Sequence, residues 1–270
     1  MIRDITIGQY YAKESPVHAL DPRTKLVIVF FYMVSMFCFH RFLGFVISAA
    51  FLGMVIYMSG VPFSHIVKGL KPLAVLLVFT MGMQMLFSAG DPLFHYGWIN
   101  ITKEGIENGF FMGIRLCLLV FGASRLTFTT TPTHLTDAIE KLFHGLNRFH
   151  IPVHEIAMMM AIALRFIPIL LEETDKIMKA QMARGADFDS GGWLKKIKGF
   201  IPLLVPLLIS AIRRANELAQ AMEARCYRGG TGRTKMKPLQ YEKRDFVAYG
   251  IFAGYLVVLA AAVKMVPQMW

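Results

Sequence analysis

A chain of 270 residues that is 55% hydrophobic, with a mean hydropathy of +0.49 and a formal net charge of +11, exceeds the roughly 45–50% apolar content of soluble domains and points to lipid rather than to one soluble core. Its Lys and Arg residues fall between apolar runs instead of forming blocks interleaved with aromatics, which argues against a nucleic-acid partner and for a membrane surface. Cys38, Cys117 and Cys226 are scattered without a Cys-x-x-Cys pair, so neither a disulfide framework nor a metal knuckle is expected.

The polar opening, Met1 to Lys25, has no apolar stretch before a small-residue cleavage site, so no signal peptide is expected and the first span directs insertion. A membrane-crossing helix needs roughly 20 mainly apolar residues. Candidates are Leu26–Phe39, Phe42–Met58, Pro72–Ala89, Ile106–Leu126 and Phe246–Val263. The fourth carries Arg115, a costly charge that is either functional or turned inward toward backbone carbonyls. After Pro132, Thr133–Asn147 reads as a helix with Leu135, Ala138, Ile139, Leu142 and Leu146 on one face. Glu155–Leu171 and Ile201–Ile212 are also apolar, but Arg165 in the middle of the first costs about 2.5–3.5 kcal/mol on insertion scales. The second is short and contains Pro202 and Pro206. Both are read as helices lying under the membrane.

The expected fold is therefore all-α and polytopic, with about five transmembrane helices. The chain divides into residues 1–126 with the first four spans, 127–244 as a cytoplasmic helical region, and 245–270 as the last span. Basic flanks set the orientation. Arg3, Lys13, Arg23, Lys25, Lys68, Lys71 and the 18 Lys and Arg residues of Lys141–Arg244 fall on one side, against Arg41, Lys103 and Lys264 on the other. The N-terminus and residues 127–244 are expected in the cytoplasm, and the C-terminus outside the cell.

A shift of 41 residues lays Leu171–Gly185 over Ile212–Cys226, with Ala180/Ala221, Ala183/Ala224 and Arg184/Arg225 identical. Common helix composition is one explanation. The shared ending is harder to dismiss, because each helix closes on small residues around an Arg, just before Gly185 or Gly229 and Gly230 can stop it. Either arginine alone would merely neutralise a helix dipole. Two in matching places suggest two similar docking sites for a pair of related soluble subunits. Glu172 and Glu173 align with Arg213 and Arg214, so the acidic pair would hold the basic pair if the helices cross there. The competing class is a membrane enzyme, with His134, His144, His150, His154, Asp137 and Glu155 as candidate metal ligands or bases. No paired Asp motif of a prenyl or phosphatidyl transferase is present.

The stretches Leu20–Leu26 (LDPRTKL), Gly69–Pro72 (GLKP), Thr129–Leu142, Ile151–Phe188, Ile201–Leu208 and Glu217–Gly230 resemble the transmembrane T components of energy-coupling-factor (ECF) transporters, especially the shared vitamin modules of Gram-positive bacteria. The likeness covers nearly the whole chain. It implies a multi-pass subunit of the cell membrane that carries no catalytic residue, metal or cofactor of its own. ATP and Mg would be bound by two ABC-type ATPase partners, and an exchangeable membrane S component would capture the vitamin. The resemblance implies that Ala183-Arg184-Gly185 and Ala224-Arg225-Cys226 each enter a groove of one ATPase. Cys226 departs from the family, which usually has Gly there. A dedicated cobalt or nickel importer of the same class is the alternative.

Overall fold

A computed structural model describes residues 10–11, 13–39, 41–60, 62, 73–88, 92–96, 99–186, 193–230, 236 and 238–265. In chain order the elements are α1 (Pro22–Ser35), α2 (Phe42–Ser59), α3 (Ala74–Phe87), β1 (Pro92–Tyr96), β2 (Ile99–Thr102), α4 (Lys103–Thr129), α5 (Pro132–Phe143), a 3-10 helix (His144–Phe149), α6 (Val153–Ala183), α7 (Trp193–Ala224) and α8 (Lys243–Met265). The protein is an all-α polytopic membrane protein, with one small antiparallel hairpin between α3 and α4 that the sequence reading did not anticipate. The GLKP stretch lies outside the described residues.

Among the described residues five helices are long and apolar enough to cross a membrane: Phe42–Ser59, Lys103–Thr129, Val153–Ala183, Gly199–Ala224 and Lys243–Lys264. Three coincide with expected spans. The helices at the other two, α1 and α3, are only 14 residues each. The short Ile201–Ile212 segment is corrected: it is part of a 32-residue helix that runs through Pro202 and Pro206, as α6 runs through Pro168. A proline removes one backbone hydrogen bond, and the turns on either side carry the helix past it. The helix predicted over Thr133–Asn147 instead tightens to 3-10 geometry from His144.

The chain forms two compact units, one within Gly8–Ala138 and Leu239–Trp270, the other within Ile139–Pro238. In the first, Tyr32, Met36, Phe45, Leu52, Leu118 and Phe252 form the centre of a buried core. Tyr255 stacks on Phe51 with centroids 4.5 Å apart, and its hydroxyl lies 3.0 Å from Ser35 Oγ and 2.9 Å from Ser48 Oγ. That shared hydroxyl joins α1, α2 and α8. Phe30, Val46, Val75, Phe79 and Val257 are exposed, as side chains facing lipid must be.

Helix ends in this unit are closed by basic side chains from elsewhere in the fold. Lys25 Nζ donates to the carbonyl of Thr129 at the end of α4, Lys13 Nζ to Gly60 O after α2, and Arg41 Nη1 to Val263 O in α8, at 2.9, 2.9 and 3.1 Å. Such cations satisfy carbonyls that have no partner within the helix. Arg115 also turns to a backbone carbonyl: its Nη2 donates to Phe39 O at 2.9 Å and its guanidinium lies 5.5 Å from the Phe45 ring. The inward alternative for that charge is the one the fold adopts.

The LDPRTKL stretch acquires a structural meaning here. Asp21 caps α1, accepting the N–H of Arg23 at 2.8 Å, and also takes the Arg23 guanidinium through both carboxylate oxygens. Buried Asp245 accepts the N–H groups of Asp21 and Glu242, each at 2.9 Å, tying the start of α1 to the start of α8. Burial pushes the Lys25 ammonium down to about 8, although Asp21 and Asp245 pull it upward.

α4 presents Gly105, Gly109 and Gly113 at successive turns toward α3. A Cβ at Gly109 would lie 3.1 Å from Met85 Cγ and 3.2 Å from the Met81 carbonyl oxygen, so the two helices approach closely at this glycine. Thr102 caps α4 by accepting the Gly105 N–H and donates to Ser88 O after α3.

Candidate functional site

The second unit is built on α6 and α7, which pack on each other. Arg214 Nη2 donates to Glu173 Oε2 at 2.6 Å, linking the two helices. These two residues occupy equivalent positions under the 41-residue shift, so the repeats meet at a self-equivalent point. A groove of about 300 Å³ beside it is lined by Ile162, Phe166 and Leu170 from α6 and by Ala211, Leu218 and Met222 from α7. Position falls along α6 as it rises along α7, so the helices run antiparallel past the crossing. Glu172 and Arg213, the other members of the predicted charge set, are exposed and take no part in the bridge.

The two helices end alike. Arg184 is the C-cap of α6, and Gly185 follows in the left-handed conformation at φ 87°. The Gly185 N–H donates to Met182 O and the Ala186 N–H to Gln181 O, both at 3.0 Å. This is a Schellman motif. At the end of α7, Cys226 takes φ 57°, its N–H donates to Glu223 O at 2.8 Å, and the Tyr227 N–H donates to Met222 O at 3.0 Å. The repeat thus persists to the hydrogen bond. It also corrects one expectation: Cys226, rather than Gly229 or Gly230, stops the helix, accepting a left-handed backbone that glycine would take without strain.

Ala183, Arg184, Gly185, Ala224, Arg225 and Cys226 are all exposed. Among the described residues the side chains of Arg184 and Arg225 have no hydrogen-bond or ion-pair partner. By the 1.5 Å helical rise each lies about 16 Å beyond the crossing, which puts the two arginines at opposite ends of the helix pair. The small flanking alanines leave each one open to a partner.

The second ending also rests on α6. Gly230 packs so closely on His154 that a Cβ there would clash with its ring, and His154 Nδ1 pairs with Glu140 Oε1 at 2.9 Å. A cleft of about 670 Å³ beneath it is lined by Met158, Arg165, Arg225, Tyr227 and Arg228 among others. Of the histidines weighed as ligands, His150 closes the 3-10 helix at φ 60°, His144 lies 3.3 Å from the Asn147 amide nitrogen, and His134 is exposed. Among the described residues no three His, Cys, Asp or Glu side chains are placed to hold a metal ion. The sequence reading missed the part played by Arg165 and Arg228 in the cleft, because their approach depends on the antiparallel crossing rather than on spacing.

Residues 13–236 match the family described as CbiQ, cobalt transport protein. The energy-coupling factor transporter transmembrane protein EcfT of Ruminiclostridium cellulolyticum is 51% identical over 256 residues, 95% of this chain and 96% of the relative. EcfT of Clostridium kluyveri is 50% identical over 92% of this chain and 93% of its own, and EcfT of Bacillus subtilis 43% identical over 97% and 100%.

Proposed function

The chain belongs to the CbiQ and EcfT family of transporter transmembrane proteins, and we propose that it is the scaffold that couples two ABC-type ATPases to a membrane S component for vitamin uptake. The observation that carries this reading is the pair of matching Schellman endings, each presenting an exposed arginine without a partner on one set of crossed helices. The planar guanidinium makes several hydrogen bonds within a groove and stays charged. ATP binding and hydrolysis in the partners change their separation. Two continuous helices linked by Arg214 and Glu173 then act as levers on the membrane helices. Chemistry stays in the ATPases, which hold ATP and Mg, and this chain supplies geometry. Exposed Met159, Met160, Ile201, Leu204 and Leu208 give the S component an adaptable apolar surface.

α6 and α7 are placed under the membrane in this reading although their length and apolarity would let them cross it. Arg165 lies exposed near the middle of the apolar half of α6, where a bilayer centre would charge about 2.5–3.5 kcal/mol. The basic imbalance supports a cytoplasmic N-terminus and an external C-terminus. In a chain lacking its native thiols, a cysteine introduced at position 190 or 231 is expected to resist impermeant labelling of intact cells. Strong labelling at either contradicts the orientation.

A scaffold has no turnover of its own. The purified chain alone is expected to hydrolyse no ATP, while the complex with both ATPases and the S component hydrolyses it and takes up vitamin. Hydrolysis by the isolated chain sinks the assignment. The family's cobalt description keeps a metal-ion cargo as the second reading, and uptake that requires cobalt or nickel instead of a vitamin would select it.

A further inference from the structure

The two arginine motifs share their backbone but differ in electrostatic surroundings. Arg165, Arg225 and Arg228 line one cleft at the end of α7, over a floor that includes Met158, Ile162 and Leu218. No carboxylate among the described residues lines it. None of the three guanidiniums has a hydrogen-bond or ion-pair partner there. Like charges gathered at one site repel each other, and an acidic partner removes that cost. Under the 41-residue shift Arg165 corresponds to Pro206 and Arg228 to Asp187, so neither flanking arginine is repeated at the aligned positions of the Arg184 motif. Two sites of one backbone geometry therefore differ in charge at two aligned positions.

Resting on the docking role proposed above, we infer that Arg165 and Arg228 make the Arg225 site selective for the ATPase subunit with the more acidic docking groove, so that the two sites take different subunits. The occupant is a protein groove with carboxylates opposite the three arginines. The cleft is continuous with the Arg225 motif and has an apolar floor for the remainder of the contact. Long-range charge complementarity of this kind sets partner choice and on-rate more than raw affinity.

The test uses the complete complex, purified without nucleotide, with the ATPases quantified by native mass spectrometry across a salt series. In the Arg184→Ala chain, whose remaining subunit sits at the Arg225 site, retention is expected to fall at least tenfold between low and high salt. In the Arg225→Ala chain it changes less than threefold, because screening removes exposed ionic contacts selectively. Adding Arg165→Glu to Arg184→Ala strips the remaining subunit, and Arg165→Lys retains it. Arg165→Glu alone leaves the other ATPase bound, which shows the variant folded. Equal salt dependence at the two sites, or unchanged retention with Arg165→Glu, overturns the inference. So does a variant that keeps both ATPases yet loses binding to phosphatidylglycerol vesicles, since the cleft would then serve lipid. Retention of both ATPases by Arg184→Ala/Arg225→Ala instead refutes the docking role itself.

Discussion

Changing Arg184 and Arg225 together to alanine is expected to release both ATPases from the membrane and to abolish vitamin uptake, while each single change depresses uptake. A desolvated, hydrogen-bonded charge contact is worth about 2–5 kcal/mol when one side is removed, enough to weaken assembly more than tenfold. Arg184→Lys rescues in part, because an ammonium keeps the charge and loses the planar fork. Membrane-bound ATPase, measured beside uptake in the same cells, reads both effects. The helix ends supply an internal comparison. Cys226 holds a left-handed backbone at φ 57°, a conformation that costs a non-glycine residue about 1–2 kcal/mol. Cys226→Gly relieves it and is expected to tighten the second site, whereas Gly185→Ala imposes it on the first. A Cβ at Gly185 meets nothing within 4 Å, so any loss there comes from the backbone and not from a clash.

Gly109→Leu is expected to separate α3 from α4 and to leave little correctly folded chain in the membrane. Even the Cβ of alanine would crowd the Met81 carbonyl at 3.2 Å. Met85 can swing its side chain away, but a backbone oxygen moves only with its helix. Overpacking of this kind costs about 1–3 kcal/mol, and more when two backbones must part. Between membrane helices, close backbone packing is the main attraction, and no water-driven collapse replaces it. Detergent-solubilised yield and thermal midpoint should both fall for Gly109→Leu and fall less for Gly109→Ala. A leucine variant with wild-type yield and midpoint would mean that the helices do not meet at this seam.

Much of the fold was legible because lipid imposes a simple rule, and apolar runs near Phe42, Ile106 and Phe246 each became a long helix. The Ile201–Ile212 run misled because it is short and contains two prolines, when the helix runs from Trp193 to Ala224 past both of them. The hairpin was missed because two short strands beside Gly97 give no long periodic signal. At the site, the repeat alone singles out both arginines and aligns Cys226 with Gly185. That Cys226 would itself close the helix was not legible, since cysteine carries no preference for a left-handed backbone. Nor were the buried roles of Lys25 and Asp245, which reach partners more than 100 residues away.

In the proposed scaffold one arginine holds one ATPase at each end of the crossed helices. Native mass spectrometry of the complex, purified without nucleotide so that the ATPases do not hold each other, counts them directly. Wild type is expected to carry two, Arg184→Ala one, Arg225→Ala one, and the double variant none. Two ATPases on the double alanine chain would contradict the coupling role.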